Sequence, residues 1–389
     1  MSHVADYDSI PIDFVRGEGT YLIDKKGKKY LDFLAGWCVG TVGWKNKEME
    51  AAICARAKVG TYVPPIFRDP GQEALAKLLV SKAPGKIARA FRCTSGSEAV
   101  EFALKCARMV TRKPTVVSIE GVYHGHTMGA AHVGDSGPRM GLKVPGFEKL
   151  PMPTNAKEAD AVIEQFEAML KSHKDIAAFM SEPFWTNAGC HIPPEGFYKR
   201  IQTLCRNYGV LLIMDEVATG AGRTGSFYGS TLQGLEPDII CLAKSLTGGY
   251  ATMGATLVTE AVFKKSRGIS DYSTFGWLQQ DLAASTKNVE MILRDDLPAN
   301  AANVGRYLLE LLQPLKSLQK VKRVDGIGMV FGIEFKLPIA FLMAGLCVRN
   351  GLIVAIADSK TLFFSPMLSL TKSQAKEGAE ILLKTLGKR

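Results

Sequence analysis

The stretch Val210-Leu211-Leu212-Ile213-Met214-Asp215 decides the fold. An unbroken apolar run leaves no face for water, which is the pattern of a parallel strand covered by helices on both sides. The carboxylate that closes the run stands where open α/β sheets meet their ligands. Working outward, Val116 to Ile119, Ile176 to Met180, Ile239 to Leu242 and Ala255 to Val258 read the same way, and longer amphipathic segments separate them. That alternation predicts an α/β protein with a parallel sheet between residues 85 and 265.

The two ends read differently. Residues 16 to 34 have the pattern of a hairpin that turns at Asp24 to Gly27. Beyond residue 280, helical periodicity at Leu308, Leu311, Leu312 and Leu315 gives way to a glycine-punctuated strand from Gly326 to Phe335. We therefore expect a large central domain over residues 46–280 and a smaller one built from both ends, residues 1–45 and 281–389.

With 389 residues, 47% hydrophobic and 22% charged, the chain can bury a substantial core and lacks the composition of a disordered protein. Lys and Arg number 48 against 38 Asp and Glu, a formal charge of +10, but the basic residues are scattered and form no arm for nucleic acid. The eight cysteines include no Cys-x-x-Cys pair, so neither a zinc site nor a disulfide framework is expected, and a reducing cytoplasm is the expected location. The polar, acidic start and the shortness of the longest apolar run, Ile339 to Val348, exclude a secretory signal and a membrane span from the reading.

Several short segments could carry chemistry. Thr94-Ser95-Gly96-Ser97-Glu98 opens a helix with apolar positions Ala99, Phe102, Ala103, Cys106 and Val110. Its small residues would leave backbone N–H groups free for an anion, while Ser95 and Glu98 equally fit a capping box that needs no ligand. Asp215 ends a buried strand and could meet a ligand or anchor a loop, with Glu216 beside it as a structural partner. Lys244 closes the apolar run Ile239 to Ala243; a desolvated lysine suits Schiff-base chemistry, although such a side chain can also snorkel to solvent. Tyr123-His124-Gly125-His126 could stack on a planar ligand, and no carboxylate or cysteine at a matching spacing supports a metal there. Gly220-Ala221-Gly222-Arg223-Thr224-Gly225 matches the dinucleotide glycine pattern, but the polar and aromatic residues that follow it do not open an apolar helix, so a nicotinamide oxidoreductase stays a weak rival.

Taken in order, a phosphate-type turn, an aromatic platform, a strand-end carboxylate and a strand-end lysine are the contacts pyridoxal phosphate requires. With Ser95-Gly96-Ser97-Glu98-Ala99, Tyr123-His124-Gly125, Asp215-Glu216-Val217, Thr219 to Gly225, Pro237-Asp238-Ile239-Ile240, Ala243-Lys244 and Ser273-Thr274-Phe275-Gly276, the sequence resembles the class III pyridoxal-phosphate aminotransferases over nearly its whole length. The resemblance implies fold type I: α/β, with a mostly parallel central sheet in a large domain and a smaller α+β domain. It also implies a homodimer with shared active sites, and roles for individual residues. Lys244 would form the Schiff base and move the proton, and Asp215 would pair with the pyridine nitrogen, supported by Glu182. Ser95, Gly96 and Ser97 would hold the phosphate, which Thr274 would reach from the neighbouring subunit. Tyr123 would stack on one ring face, with His124 beside it, and Val217 would pack on the other.

The departures fall on the substrate side. His126 stands where ornithine- and acetylornithine-type members carry an arginine, and Leu362-Phe363-Phe364-Ser365-Pro366 replaces the segment holding another. Glu182-Pro183-Phe184-Trp185-Thr186-Asn187 replaces Glu-Pro-x-Gln-Gly-Glu, and Ala218 stands in place of a glutamine. A bidentate arginine is the usual clamp for a carboxylate. Its loss, with Trp37, Trp185 and Phe363 nearby in the pattern, predicts an apolar aromatic substrate pocket, unless those aromatics are core and Arg68 or Arg139 takes the carboxylate. The expected reaction moves an amino group from a primary amine or ω-amino compound to a keto-acid or aldehyde. A racemase, epimerase or aminomutase of the same family would use the same lysine and carboxylate, and a non-catalytic cofactor-binding regulator would bind without turnover.

Overall fold

A computed structural model describes residues 10, 12–60, 62–64, 66–137, 141 and 143–387. The central sheet has seven strands in the spatial order Ile87–Cys93, Gly254–Thr259, Ile239–Leu242, Leu211–Asp215, Ile176–Ser181, Thr115–Ile119 and Phe147–Leu150. The last five pair in parallel. Gly254–Thr259 runs antiparallel to both its neighbours, which corrects the expectation for Ala255 to Val258. An apolar run reports burial on both faces of a strand and carries no information about its direction.

The unbroken runs have a direct cause. Leu212 and Met214 pack on one face of the sheet against Phe166, Phe197 and Ile201, whereas Ile213 packs on the other among Ala99, Ala103 and Cys106. Each such buried side chain contributes about 1.5–3 kcal/mol relative to exposure, so one polar substitution inside the strand would damage one of the two cores. The helix Gly96–Thr111 forms where its apolar positions predicted and buries Ala99, Phe102, Ala103 and Cys106.

At the N-terminal end, Tyr21–Asp24 and Lys29–Asp32 make the expected hairpin, and Phe14–Glu18 adds a further antiparallel strand. The Asp24 carboxylate accepts from the N–H groups of Lys26 and Lys28, each at 2.9 Å, and so shapes the turn. Leu352–Ile353, from the other end of the chain, lies parallel to Leu31–Asp32. The segment expected as one strand from Gly326 to Phe335 is instead part of a hairpin, Val321–Ile327 with Val330–Phe335. Gly328, at φ +54°, takes the left-handed turn position between them. No helix among the described residues is long and apolar enough to cross a membrane.

Candidate active site

The carboxyl ends of the central strands open into a cavity of about 310 Å³. Ser95, Gly96, Ser97, Tyr123, His124, Glu182, Asp215, Val217 and Lys244, singled out across 150 residues of sequence, all line it, as do His126, Asn187 and Ala218. The backbone brings them together closely: a Cβ on Gly254 would sit 2.3 Å from the Ser95 carbonyl oxygen, so only glycine lets the antiparallel strand pass beneath the helix start.

That helix start is built to receive an anion. Ser95 caps the helix by accepting from Glu98 N at 3.2 Å. The Glu98 carboxylate reaches back to Thr94 N at 2.7 Å, one residue before the position a full capping box requires. The N–H groups of Gly96 and Ser97 precede the first intrahelical bonds and stay available. Ser97 Oγ accepts from His126 N and lies 3.3 Å from His126 Nδ1, which fixes the His126 loop against the same end.

Asp215 is held on two sides. Its Oδ1 accepts from Val217 N at 2.9 Å, and its Oδ2 lies 2.6 Å from Nδ1 of the buried His124. Glu182, fully buried at the end of the next strand, accepts from Thr186 N at 3.1 Å and from the Thr186 hydroxyl. Burial and the nearby Asp215 carboxylate push the Glu182 carboxyl up to about 7. Two buried polar atoms of this wall, Glu182 Oε1 and His124 Nε2, have no protein partner.

Lys244 follows its strand in a left-handed conformation, φ +44°, which costs about 1–2 kcal/mol for a non-glycine residue. Its neighbour Ser245 locks it in place by donating to Cys38 O at 2.6 Å and accepting at its carbonyl from Asn288 Nδ2 at 2.8 Å. The partner segment is itself a left-handed turn: Ala35, Gly36, Trp37 and Cys38 have φ of +47°, +66°, +61° and +62°. Asp32 accepts from Ala35 N at 2.8 Å, and Ser365 Oγ from Cys38 N at 2.9 Å. The buried Arg223 donates to Gly40 O at 2.6 Å and Pro366 O at 2.5 Å, bridging the turn to the C-terminal part of the chain. Arg223 stood out in the sequence only for its glycines. Its carbonyl partners lie far away along the chain, so no local pattern could have shown this clamp.

The aromatic pocket is not found as expected. Trp185 is fully buried, edge-on to Phe197 and tilted against Tyr198 with its Nε1 donating to Ser181 Oγ at 3.1 Å, because the segment after Glu182 folds back into the core. Phe363 is buried with Cys38, Cys190 and Val330 behind Ala218. Trp37 is 44% exposed and lies off the cavity lining. Thr274 is also away from this cavity, on the surface, where its carbonyl accepts from Tyr62 OH at 2.8 Å. Arg68 does not line the cavity, and Arg139 lies outside the described residues.

Known proteins are similar to this chain in sequence and in fold. The family model for aminotransferase class-III matches residues 3–386. The chain is a class III aminotransferase. It is 34% identical over 384 residues to the putrescine aminotransferase of Pectobacterium atrosepticum, covering 94% of this chain and 81% of that protein. It is 33% identical over 382 residues to the acetylornithine aminotransferase of Methanothermobacter thermautotrophicus, covering 97% and 94%. Among solved structures, an amine transaminase from an uncultivated Pseudomonas species in its PLP-bound form superposes with a TM-score of 0.93 at 29% identity, covering 100% of this chain and 98% of that one. The ω-transaminase of Pseudomonas jessenii in complex with PMP gives 0.93 at 26% identity, covering 97% and 92%. The aminotransferase thus has the fold type I architecture and takes pyridoxal phosphate as cofactor. The observed groups fit it: a helix start for the phosphate, an amine for the aldehyde, a held carboxylate for the ring nitrogen, and two unpartnered buried polar atoms in the same wall.

Proposed function

We propose that this aminotransferase takes its amino group from donors that carry no carboxylate beside the amine, primary amines and ω-amino compounds among them. The observation that supports this reading is the lining of the cavity, where Lys244 is the only lysine or arginine among the described residues. A carboxylate brought into a half-buried site without a guanidinium loses its hydration and gains little in return. His126, Ala218 and Asn187 stand on the wall where the resemblance led us to expect an arginine, a glutamine and a glutamate. The putrescine aminotransferase relative is named for a donor of this kind.

Bound pyridoxal phosphate supplies the electron sink that lets the carbon beside the donor nitrogen release its proton. The chain does the rest. Lys244 Nζ, which faces the same cavity, would be the group that accepts that proton and later returns it. Asp215, oriented by His124 and Val217 N, would pair with the ring nitrogen and hold it protonated. Gly96 and Ser97 fix the phosphate, and Tyr123 and Val217 enclose the ring.

The second subunit completes the site in this proposal. Thr274 lies beside exposed Tyr272 and Phe275, and the Tyr62 and Phe275 rings pack 6.3 Å apart on that surface, an apolar patch suited to a second copy of the chain. In this proposal the enzyme works in the cytoplasm.

The test is absorbance of the holoenzyme while single amines, diamines and α-amino acids are added without acceptor. Loss of the visible band with amines or diamines and its persistence with α-amino acids supports the reading. Conversion only by α-amino acids rejects it. A reversible shift without conversion points to return of the amino group to the same molecule, as in an aminomutase.

A further inference from the structure

The sheet sets the order in which groups face the cavity: the helix start at Gly96 and Ser97, then Lys244, then Asp215, then Glu182 at the end of Ile176–Ser181. Pyridoxal phosphate has a fixed order of its own, since its phosphate arm and its phenolic oxygen lie on opposite sides of the line from ring nitrogen to aldehyde carbon. With the phosphate, aldehyde and nitrogen placed as in the proposed function, on which this inference rests, the phenolic oxygen turns toward Glu182. Ala218 offers only a methyl group there, and Asn187 Nδ2 already donates to Thr186 Oγ1 at 3.4 Å. Oε2 of Glu182 is engaged by Thr186, whereas Oε1 is buried without a partner.

We propose that Glu182 donates a hydrogen bond from this free carboxyl oxygen to the phenolic oxygen of the bound cofactor. Donation requires a proton, and burial beside Asp215 raises the carboxyl far enough to keep one near neutrality. The titratable groups facing Glu182 are Asp215, which favours its neutral form, and His124 and Lys244, which oppose it; Tyr198, beneath it, donates to its carbonyl at 2.5 Å. A neutral donor at the phenolic oxygen draws off negative charge that would otherwise hold the proton on the adjacent Schiff-base nitrogen, and so lowers the pKa of that nitrogen.

The experiment follows the visible band of the holoenzyme from pH 5.5 to 10, with cofactor release measured by dialysis, for wild type, Glu182→Gln, Glu182→Ala and Asn187→Ala. Glutamine keeps a donor and should titrate within about 0.3 unit of wild type, whereas alanine should raise the midpoint by about one unit and weaken cofactor binding roughly tenfold, the loss of one hydrogen bond. Asn187→Ala should leave the midpoint of the band within about 0.3 unit of wild type. Glu182→Met, similar in volume and without a donor, replaces an alanine variant that does not fold. A normal band with an unmoved midpoint in the alanine or methionine variant overturns the Glu182 assignment alone, as does a shift produced by Asn187→Ala. A wild-type chain that gains no visible band with cofactor overturns the orientation on which the assignment depends.

Discussion

The cavity has two unlike walls. The inner wall, at the strand ends, is buried and cross-tied: His124 to Asp215, Val217 to Asp215, and Glu182 to Thr186. The outer wall carries Tyr123 and His126, exposed side chains on one loop, with exposed Met128 close by in the chain. Chemistry common to a family needs groups held to fractions of an ångström, and a continuous sheet supplies that rigidity. Choice of substrate needs only a surface that can change one side chain at a time without loss of the core.

The sharpest break of the inner wall is Lys244→Ala, which should eliminate the lysine-linked visible band and lower turnover by at least about a thousandfold. Borohydride trapping followed by peptide mapping checks it, and labelling of another lysine would reject the assignment. Asp215→Asn should leave cofactor bound while kcat falls roughly a hundredfold or more, because a neutral partner no longer holds the ring nitrogen protonated. Unchanged turnover would remove Asp215 from its role.

Changes on the outer wall should leave melting unaltered and move specificity. His126→Arg should raise kcat/KM for α-amino acid donors by about tenfold, the gain of one guanidinium–carboxylate contact. Competition between an amine and an amino acid donor reads it directly. The smallest effect concerns the cofactor-free protein. Its Glu182 carboxyl sits above the ordinary 4.5, at about 7, so that stabilising contribution is complete below 4.5 and is lost as pH rises through 7. Thermal melts from pH 5 to 8 should fall less steeply in Glu182→Gln than in wild type.

The same division decides what the sequence could reveal. Lys244, Asp215 and Gly96 were legible because each terminates or begins an element whose periodicity can be read, and strand ends converge by the logic of the fold. Trp185 and Phe363 misled because an aromatic side chain near a motif is read as facing the ligand, while the direction it takes depends on how the following loop folds. The antiparallel course of Gly254–Thr259 was hidden for a related reason, since burial looks alike in either direction. Arg223 and Ser245 hold turns contributed by distant segments, and contacts of that range leave no local trace.

The knot of Arg223 and Ser245 with the left-handed turn near Cys38 also sets a schedule for the newborn chain. Cys38 N and its acceptor on Ser365 are separated by 327 positions. The closure penalty for such a loop grows only about 0.6 kcal/mol per doubling of length, yet the later segment emerges from the ribosome tens of seconds after the earlier one. All seven strands of the central sheet lie before residue 260, whereas Ser365, the acceptor of the Cys38 turn to which Ser245 bonds, lies in the last quarter of the chain. A chain released before that segment is made would carry every strand of the sheet without the full set of bonds that holds the turn beside Lys244.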